Sequence, residues 1–135
     1  MDQQMSHKEV RPDGVFKSPT APFSLATRTE GRTMLHISGQ VPQDERGNNV
    51  AVGDVRGQTE QVIQNIQKIV ESEGGALSDV CRLTIFLTAR NDLASVMEVR
   101  RKHFKEPYPA ATAVVVTGLA NAEWLVEIEA VAVLN

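Results

Sequence analysis

The stretch WLVEIEAVAVL, residues 124–134, lies near the end of the chain and decides its fold. Side chains alternate between the two faces of a β-strand, so Glu127 and Glu129 share one face and stand about 7 Å apart. The strand is otherwise too apolar to face water on both sides. The two carboxylates are therefore paired with a basic group, placed at an interface, or part of a site.

The 135 residues predict one domain, with a peripheral lead-in over residues 1–13 and a single domain over residues 14–135. The formal net charge of −3 argues against a general nucleic-acid binder, because no excess of Lys and Arg is present to neutralise phosphates. No apolar run approaches the roughly 20 residues of a membrane span, and the N-terminus lacks a secretory pattern. With one cysteine, Cys81, these features predict a cytoplasmic protein that does not associate with membranes.

The hydrophobic period predicts the order β-β-α-β-α-β-β, with residues 15–17 as a possible additional edge strand. Apolar residues recur at helical spacing between a predicted N-cap at Asp54 and a stop at Gly74-Gly75. A second helix is predicted to begin after Asn91-Asp92. The predicted strands cover residues 23–28, 33–38, 80–87, 110–117 and 124–134, with a hairpin turn at 29–32.

This order predicts a two-layer α+β domain, in which about six strands form a mixed sheet and both helices pack on one face. The strand 80–87 is apolar on nearly both faces and is expected at the centre of the sheet. The other sheet face has no cover within the chain. An uncovered apolar sheet face predicts oligomerisation.

The sequence contains no phosphate-binding glycine loop and no metal-ligand spacing, so neither a cofactor nor a metal site is predicted. Cys81 is expected to be a small buried hydrophobic residue rather than a nucleophile. Arg82 follows it, faces the opposite way and needs an acid or a ligand. A salt bridge from Arg82 to Glu127 or Glu129 is slightly favoured over a ligand-binding role.

Four segments, in this order, resemble the RidA/YjgF family, which is also called the endoribonuclease L-PSP family. They are SGQVP at 38–42, QTEQVIQNI at 58–66, PAAT at 109–112 and VEIEAVAV at 126–133. The resemblance covers roughly residues 14–134. It implies a chorismate-mutase-like α+β fold and a homotrimer with an inner barrel. Small molecules would bind in clefts between the subunits.

The resemblance also implies an activity, the hydrolysis of reactive enamines and imines to a keto acid and ammonia. Glu127 matches the glutamate that positions water in the family, and Gly39 matches a glycine that lines the cleft. The family's arginine for the substrate carboxylate is replaced by Ala111, which precedes Thr112. The chain therefore resembles an Arg-lacking branch of the family.

Two further cleft positions also differ from the family pattern, since Phe23 stands where a tyrosine is common and Met97 where an asparagine is often found. The changes at Ala111 and Met97 indicate a wider, more apolar pocket. Arg82, Arg28 and Arg11 are candidates for a relocated cation, although nothing in the sequence places them. The predicted substrate-binding residues are Phe23, Gly39, Met97, Ala111, Thr112 and Arg82.

Three functions remain open at this point. The favoured one is an enamine or imine deaminase for a substrate other than a small 2-imino acid, with Glu127 as the catalytic residue. The alternative is a trimer that binds a small metabolite without catalysis. A ribonuclease is the least favoured, because the chain is acidic and its histidines are scattered.

Overall fold

The computed structural model describes residues 7–135, which form six strands, two α-helices and two short 3₁₀ turns. The strands are β1 (His7–Val10), β2 (Ala26–Thr29), β3 (Thr33–Gln40), β4 (Val80–Leu87), β5 (Ala110–Val115) and β6 (Val126–Leu134). The helices are α1 (Val55–Ser72) and α2 (Leu93–His103), and the 3₁₀ turns are Leu77–Asp79 and Arg90–Asp92.

Four strands form a mixed sheet in the order β3-β6-β4-β5. The strand β6 is antiparallel to both of its neighbours, whereas β4 and β5 are parallel and joined through α2. The stretch at residues 124–134 therefore supplies a strand inside the sheet, beside the central strand β4. Both helices pack on one face, so the predicted two-layer α+β fold is confirmed.

The helix α1 begins where the sequence predicts, because the Asp54 carboxylate accepts a hydrogen bond from the Gly57 amide at 3.2 Å. Its apolar stripe is buried against the sheet, and the wholly apolar face of β6 contributes to the same core. Fully buried members of this core include Val62, Ile63, Ile66, Val70, Leu83, Ile85 and Ile128.

The N-terminal strands differ from the prediction. Strands β1 and β2 form a separate two-stranded sheet, so the predicted hairpin that joins residues 23–28 to 33–38 is wrong. Residues 15–17 form no strand, and β1 instead lies within the predicted lead-in. Its anchor is the buried His7, whose Nε2 donates to the Pro107 carbonyl at 2.8 Å. The lead-in residues 1–6 lie outside the described part of the chain.

A polar cluster determines where β6 begins. Gln58 is buried on α1, and its amide donates to the Glu123 carbonyl at 2.9 Å and accepts from the Leu125 amide at 2.8 Å. The Trp124 indole N–H donates to Asn49 at 2.9 Å. These bonds connect α1 and the loop before it to residues 123–125, immediately before β6, and so place the glutamates that follow.

Candidate functional site

The Glu127 carboxyl group lies against the backbone of Gly39. The register between β3 and β6 shifts between Ile37 and Gln40, and this irregularity brings Gly39 against the glutamate. A Cβ atom at position 39 would collide with the Glu127 carboxyl group. Within residues 7–135, the Glu127 carboxylate is half-buried and has no hydrogen-bond or ion-pair partner. It is therefore available to bind water or a ligand.

Glu127 and Glu129 belong to the sheet face that no helix covers. In the register of β4 and β6, Phe86 lies opposite Glu127 and Thr84 opposite Glu129, and opposed residues share a face. Met34 and Val114 on this face are 58% and 39% exposed. This surface, called the open face below, is the uncovered face that the sequence predicts.

Arg82 also lies on the open face, but it is distant from Glu127. It stands opposite Val131, four residues from Glu127, which corresponds to about 13 Å along the strand. Within residues 7–135 it forms no ion pair, so the predicted salt bridge to Glu127 or Glu129 is wrong for the single chain. Arg82 instead lines a shallow concavity of about 330 Å³ with His36, Ser38, Thr84, Glu129 and Val131.

The other predicted cleft residues lie elsewhere. Ala111 stands opposite Leu83 and packs on the helix-side core, whereas its neighbour Thr112 is exposed on the open face. Met97 is half-buried on α2, and Phe23 is half-buried in the loop before β2. One chain thus brings Gly39 and Glu127 together, and places Ala111 on the opposite face of the sheet.

A cationic residue that the sequence reading did not single out lies close to these positions. Arg100, one helical turn after Met97, is only 3% exposed. Its Nη2 donates to the Pro22 carbonyl at 3.3 Å, and its buried Nε has no partner within residues 7–135. Burial, and to a lesser extent Arg101, lower the pKa of Arg100 to about 10.

The sequence did carry a signal for Arg100. The apolar stripe of α2 runs through Leu93, Val96, Met97 and Phe104, and position 100 falls within it at helical spacing. An arginine in a buried stripe is unusual, but basic residues are common near helix C-termini, where they complement the helix dipole. Because the helix dipole already explains a basic residue at this position, the sequence pattern alone does not predict that Arg100 is buried.

Cys81 is buried, as predicted, and its thiol donates to the Val131 carbonyl at 3.4 Å. Burial raises the pKa of this thiol, which keeps it in the unreactive protonated form. Residues 7–135 contain no cluster of three or more His, Cys, Asp or Glu side chains that could hold a metal ion. No helix in this part of the chain is long and apolar enough to cross a membrane.

These features define a small α+β protein with an open sheet face and an unpaired carboxylate on one of its central strands. The family model for endoribonuclease L-PSP matches residues 16–134. The chain belongs to this family, also called RidA/YjgF, as its sequence segments predict.

Curated relatives and solved structures agree with this assignment. A RutC family protein of Pyrococcus horikoshii is 40% identical over 114 residues, which cover 84% of this chain and 88% of the relative. A protein of Dermatophagoides farinae named 2-iminobutanoate/2-iminopropanoate deaminase is 33% identical and covered in full, over 97% of this chain. The crystal structure of the Rid family protein YyfB from Yersinia pestis matches with a TM-score of 0.88 and 29% identity, over 96% of this chain and 100% of that one.

Proposed function

We propose that the protein is a hydrolytic enamine or imine deaminase whose substrate is not a small 2-imino acid, and that Glu127 positions the water. The observation that carries this proposal is the unpartnered Glu127 carboxylate held against Gly39. The Dermatophagoides farinae relative, named for imine deamination, supports the reaction class.

The reaction needs one carboxylate and one water molecule. The Glu127 carboxylate accepts a hydrogen bond from the water and takes its proton as the oxygen attacks the imine carbon. Glu127 returns this proton to the nitrogen, which gives a carbinolamine. The second proton of the water, now on the hydroxyl group, moves to the nitrogen as the carbon–nitrogen bond breaks and ammonia leaves. The products are a ketone group and ammonia, so one water is consumed for each imine.

A homotrimer with clefts between its subunits forms part of the proposal. Glu127 and Ala111 lie on opposite faces of one sheet, so a single chain does not assemble the whole site. A cleft in which one copy supplies Gly39 and Glu127, and another supplies Phe23, Met97 and Ala111, would complete it. The open face, with exposed Met34 and Val114, supports such an assembly.

The lining residues favour a substrate larger than a 2-imino acid of three or four carbons. Ala111 has a methyl group where the family pattern places a guanidinium fork, so the bidentate contact to a small substrate's carboxylate is lost. Met97 and Phe23 replace polar residues of that pattern with apolar ones, which suits a longer or aromatic carbon chain.

Ammonia release tests the proposed function. Imines with side chains of increasing size would be generated in situ by an amino-acid oxidase, and the rate of hydrolysis measured with and without the protein. Glu127→Gln should lower kcat about 100-fold or more, because the amide cannot accept the proton. Glu129→Gln, on the same strand and face, is the matched control and should retain the wild-type rate.

The same assay separates the alternatives. Ligand binding with no acceleration of ammonia release from any imine would favour a non-catalytic binding trimer, a function that the loss of the arginine at position 111 also fits. Equal rates for wild type and Glu127→Gln would reject Glu127 as the catalytic residue. A ribonuclease stays the least favoured function, because the chain carries a net charge of −3.

A further inference from the structure

The Arg100 guanidinium lacks the partner that a buried cation needs. An arginine has five N–H donors, and the structure pairs one of them, through a bond of 3.3 Å to the Pro22 carbonyl. Within residues 7–135, no carboxylate lies within ion-pair distance of it. A buried charge without a counter-charge is strongly unfavourable, and natural proteins retain one mainly where it meets an anion.

Arg100 lies beside the positions that the proposed cleft uses. Its hydrogen bond reaches Pro22, the residue before Phe23. The same loop is fastened to the start of β5, because the Ser24 amide donates to the Pro109 carbonyl at 3.1 Å and Ser24 bridges to Ala110. The helix α2 thus brings the guanidinium to the loop that carries Phe23, one turn from Met97.

Ala111 lies on the side of the sheet that the helices cover. Its side chain packs on the core cluster that includes Val96 and Val99, the residues on α2 that precede Arg100. Position 111 on β5, where the family pattern has an arginine, therefore lies on the same side of the sheet as Arg100 on α2.

We propose that Arg100 binds the carboxylate of the substrate, in place of the arginine that position 111 lacks. This inference rests on the proposed function and deepens it, since it identifies the substrate as an imine or enamine that carries a carboxylate. Arg100 is one helical turn from Met97 and bonds to the residue before Phe23, so the expected substrate joins its carboxylate to an apolar chain that contacts these two side chains.

The other arginines fit this role less well. Arg82 is exposed on the opposite sheet face. Arg28 pairs with Glu30 at 3.3 Å, and both side chains are exposed. Arg101 is exposed and donates to the Thr20 carbonyl at 2.9 Å. Arg101 is thus a matched control, because it is adjacent in sequence, contacts the same loop and carries the same charge in solvent.

Calorimetric binding of 4-methyl-2-oxopentanoate tests the inference on the full chain in its native assembly. This keto acid is the hydrolysis product of an imine that has both a carboxylate and a branched apolar chain. Arg100→Met should weaken its binding about 10- to 100-fold, as expected for the loss of a charge-assisted hydrogen bond, and Arg101→Met should leave the affinity unchanged. The uncharged analogue 4-methylpentan-2-one should bind wild type and Arg100→Met alike.

A measurement on the wild-type protein covers the case in which Arg100→Met does not fold. The ¹⁵Nε–¹H signal of Arg100, assigned by its absence in Arg100→Lys, should shift on titration with the keto acid and stay in place with the ketone. No binding to wild type, equal binding to Arg100→Met, or an unmoved signal overturns the inference. A change of oligomeric state in Arg100→Met, with the affinity retained, would assign the charge to a subunit contact and overturn it too.

The outcomes for the inference and for the proposed function remain distinguishable. Binding that depends on Arg100 without any release of ammonia would retain the carboxylate site and reject the deaminase. Ammonia release that Arg100→Met leaves unchanged, together with unaltered binding, would retain the deaminase and reject Arg100.

Discussion

Position 39 illustrates how one missing side chain makes room for a functional group. A Cβ atom there would meet the end of the flexible Glu127 side chain, so Gly39→Ala should displace the carboxylate at little cost to the fold. We expect kcat to fall about tenfold or more, because a misplaced general base loses its alignment with the water. The free energy of unfolding, measured with urea, should change by less than about 1 kcal/mol.

Gly118→Ala is the control for this substitution, because no atom lies within 4 Å of the added Cβ position. It should leave kcat unchanged. A Gly39→Ala variant with full activity would show that the carboxylate does not need its observed position.

Arg100 should reduce the stability of the fold while it serves binding. Its buried guanidinium lacks a counter-charge, so Arg100→Met should raise the free energy of unfolding by about 1–2 kcal/mol. Chemical denaturation at neutral pH measures this change. Arg101→Met, on an exposed side chain, should stay within about 0.5 kcal/mol of wild type. A loss of stability in Arg100→Met would indicate that the guanidinium has a structural role.

At the level of single residues, prediction succeeded where side chains alternate between the two faces of a strand. Alternation along the last strand predicts that Glu127 and Glu129 share a face, and the structure places both on the open face. The adjacency of Gly39 and Glu127 came from the family resemblance alone. Arg100 was missed because its burial depends on tertiary packing between α2, the loop at Pro22 and the core, which no local pattern records.

Among the elements, α1 depends on Gln58 as the link to the strand that carries Glu127. Gln58→Leu would leave the Leu125 amide and the Glu123 carbonyl without their partner. We expect a loss of about 2–4 kcal/mol in the free energy of unfolding, since unsatisfied buried polar groups are costly. Gln64→Leu, the same change at an exposed position of the same helix, should have little effect. Equal stability of the two variants would contradict the role assigned to Gln58.

Element prediction was accurate where one segment determines its own structure. The Asp54 cap and the apolar stripe define α1, and the apolar run 80–87 coincides with β4. Strands β1 and β2 were misread, because pairing between them depends on register rather than composition. The buried His7 that anchors β1 stands in a polar segment without hydrophobic alternation.

For the whole molecule, the proposed trimer should be sensitive to charge on the open face. Val114→Glu places a carboxylate on this face, in each copy of the proposed assembly, without disturbing the core of the single chain. We expect wild type to have about three times the 14.8 kDa mass of one chain by light scattering, and Val114→Glu to shift towards the single-chain mass.

Val52→Glu provides the control, because Val52 is exposed in the loop before α1 and lies outside the sheet. It should retain the wild-type mass. A wild-type protein of single-chain mass would remove the subunit cleft from the proposed function.

The order of the elements favoured the observed architecture, because two helices between strands of one sheet can pack side by side on one face and leave the other open. The division of six strands into two sheets did not follow, since it depends on which distant strands pair. The proposed site between subunits was equally inaccessible to sequence reasoning, because Glu127 and Ala111 lie on opposite faces of a single sheet.

The bond between Trp124 and Asn49 gives the protein a built-in optical probe. Trp124 is the only tryptophan in the chain, and its indole is fixed at the point where the loop before α1 meets the residues immediately before β6. If this corner opens, the indole loses its partner to water and its fluorescence shifts to the red. Emission spectra of the unlabelled protein would therefore report the docking of this corner in real time.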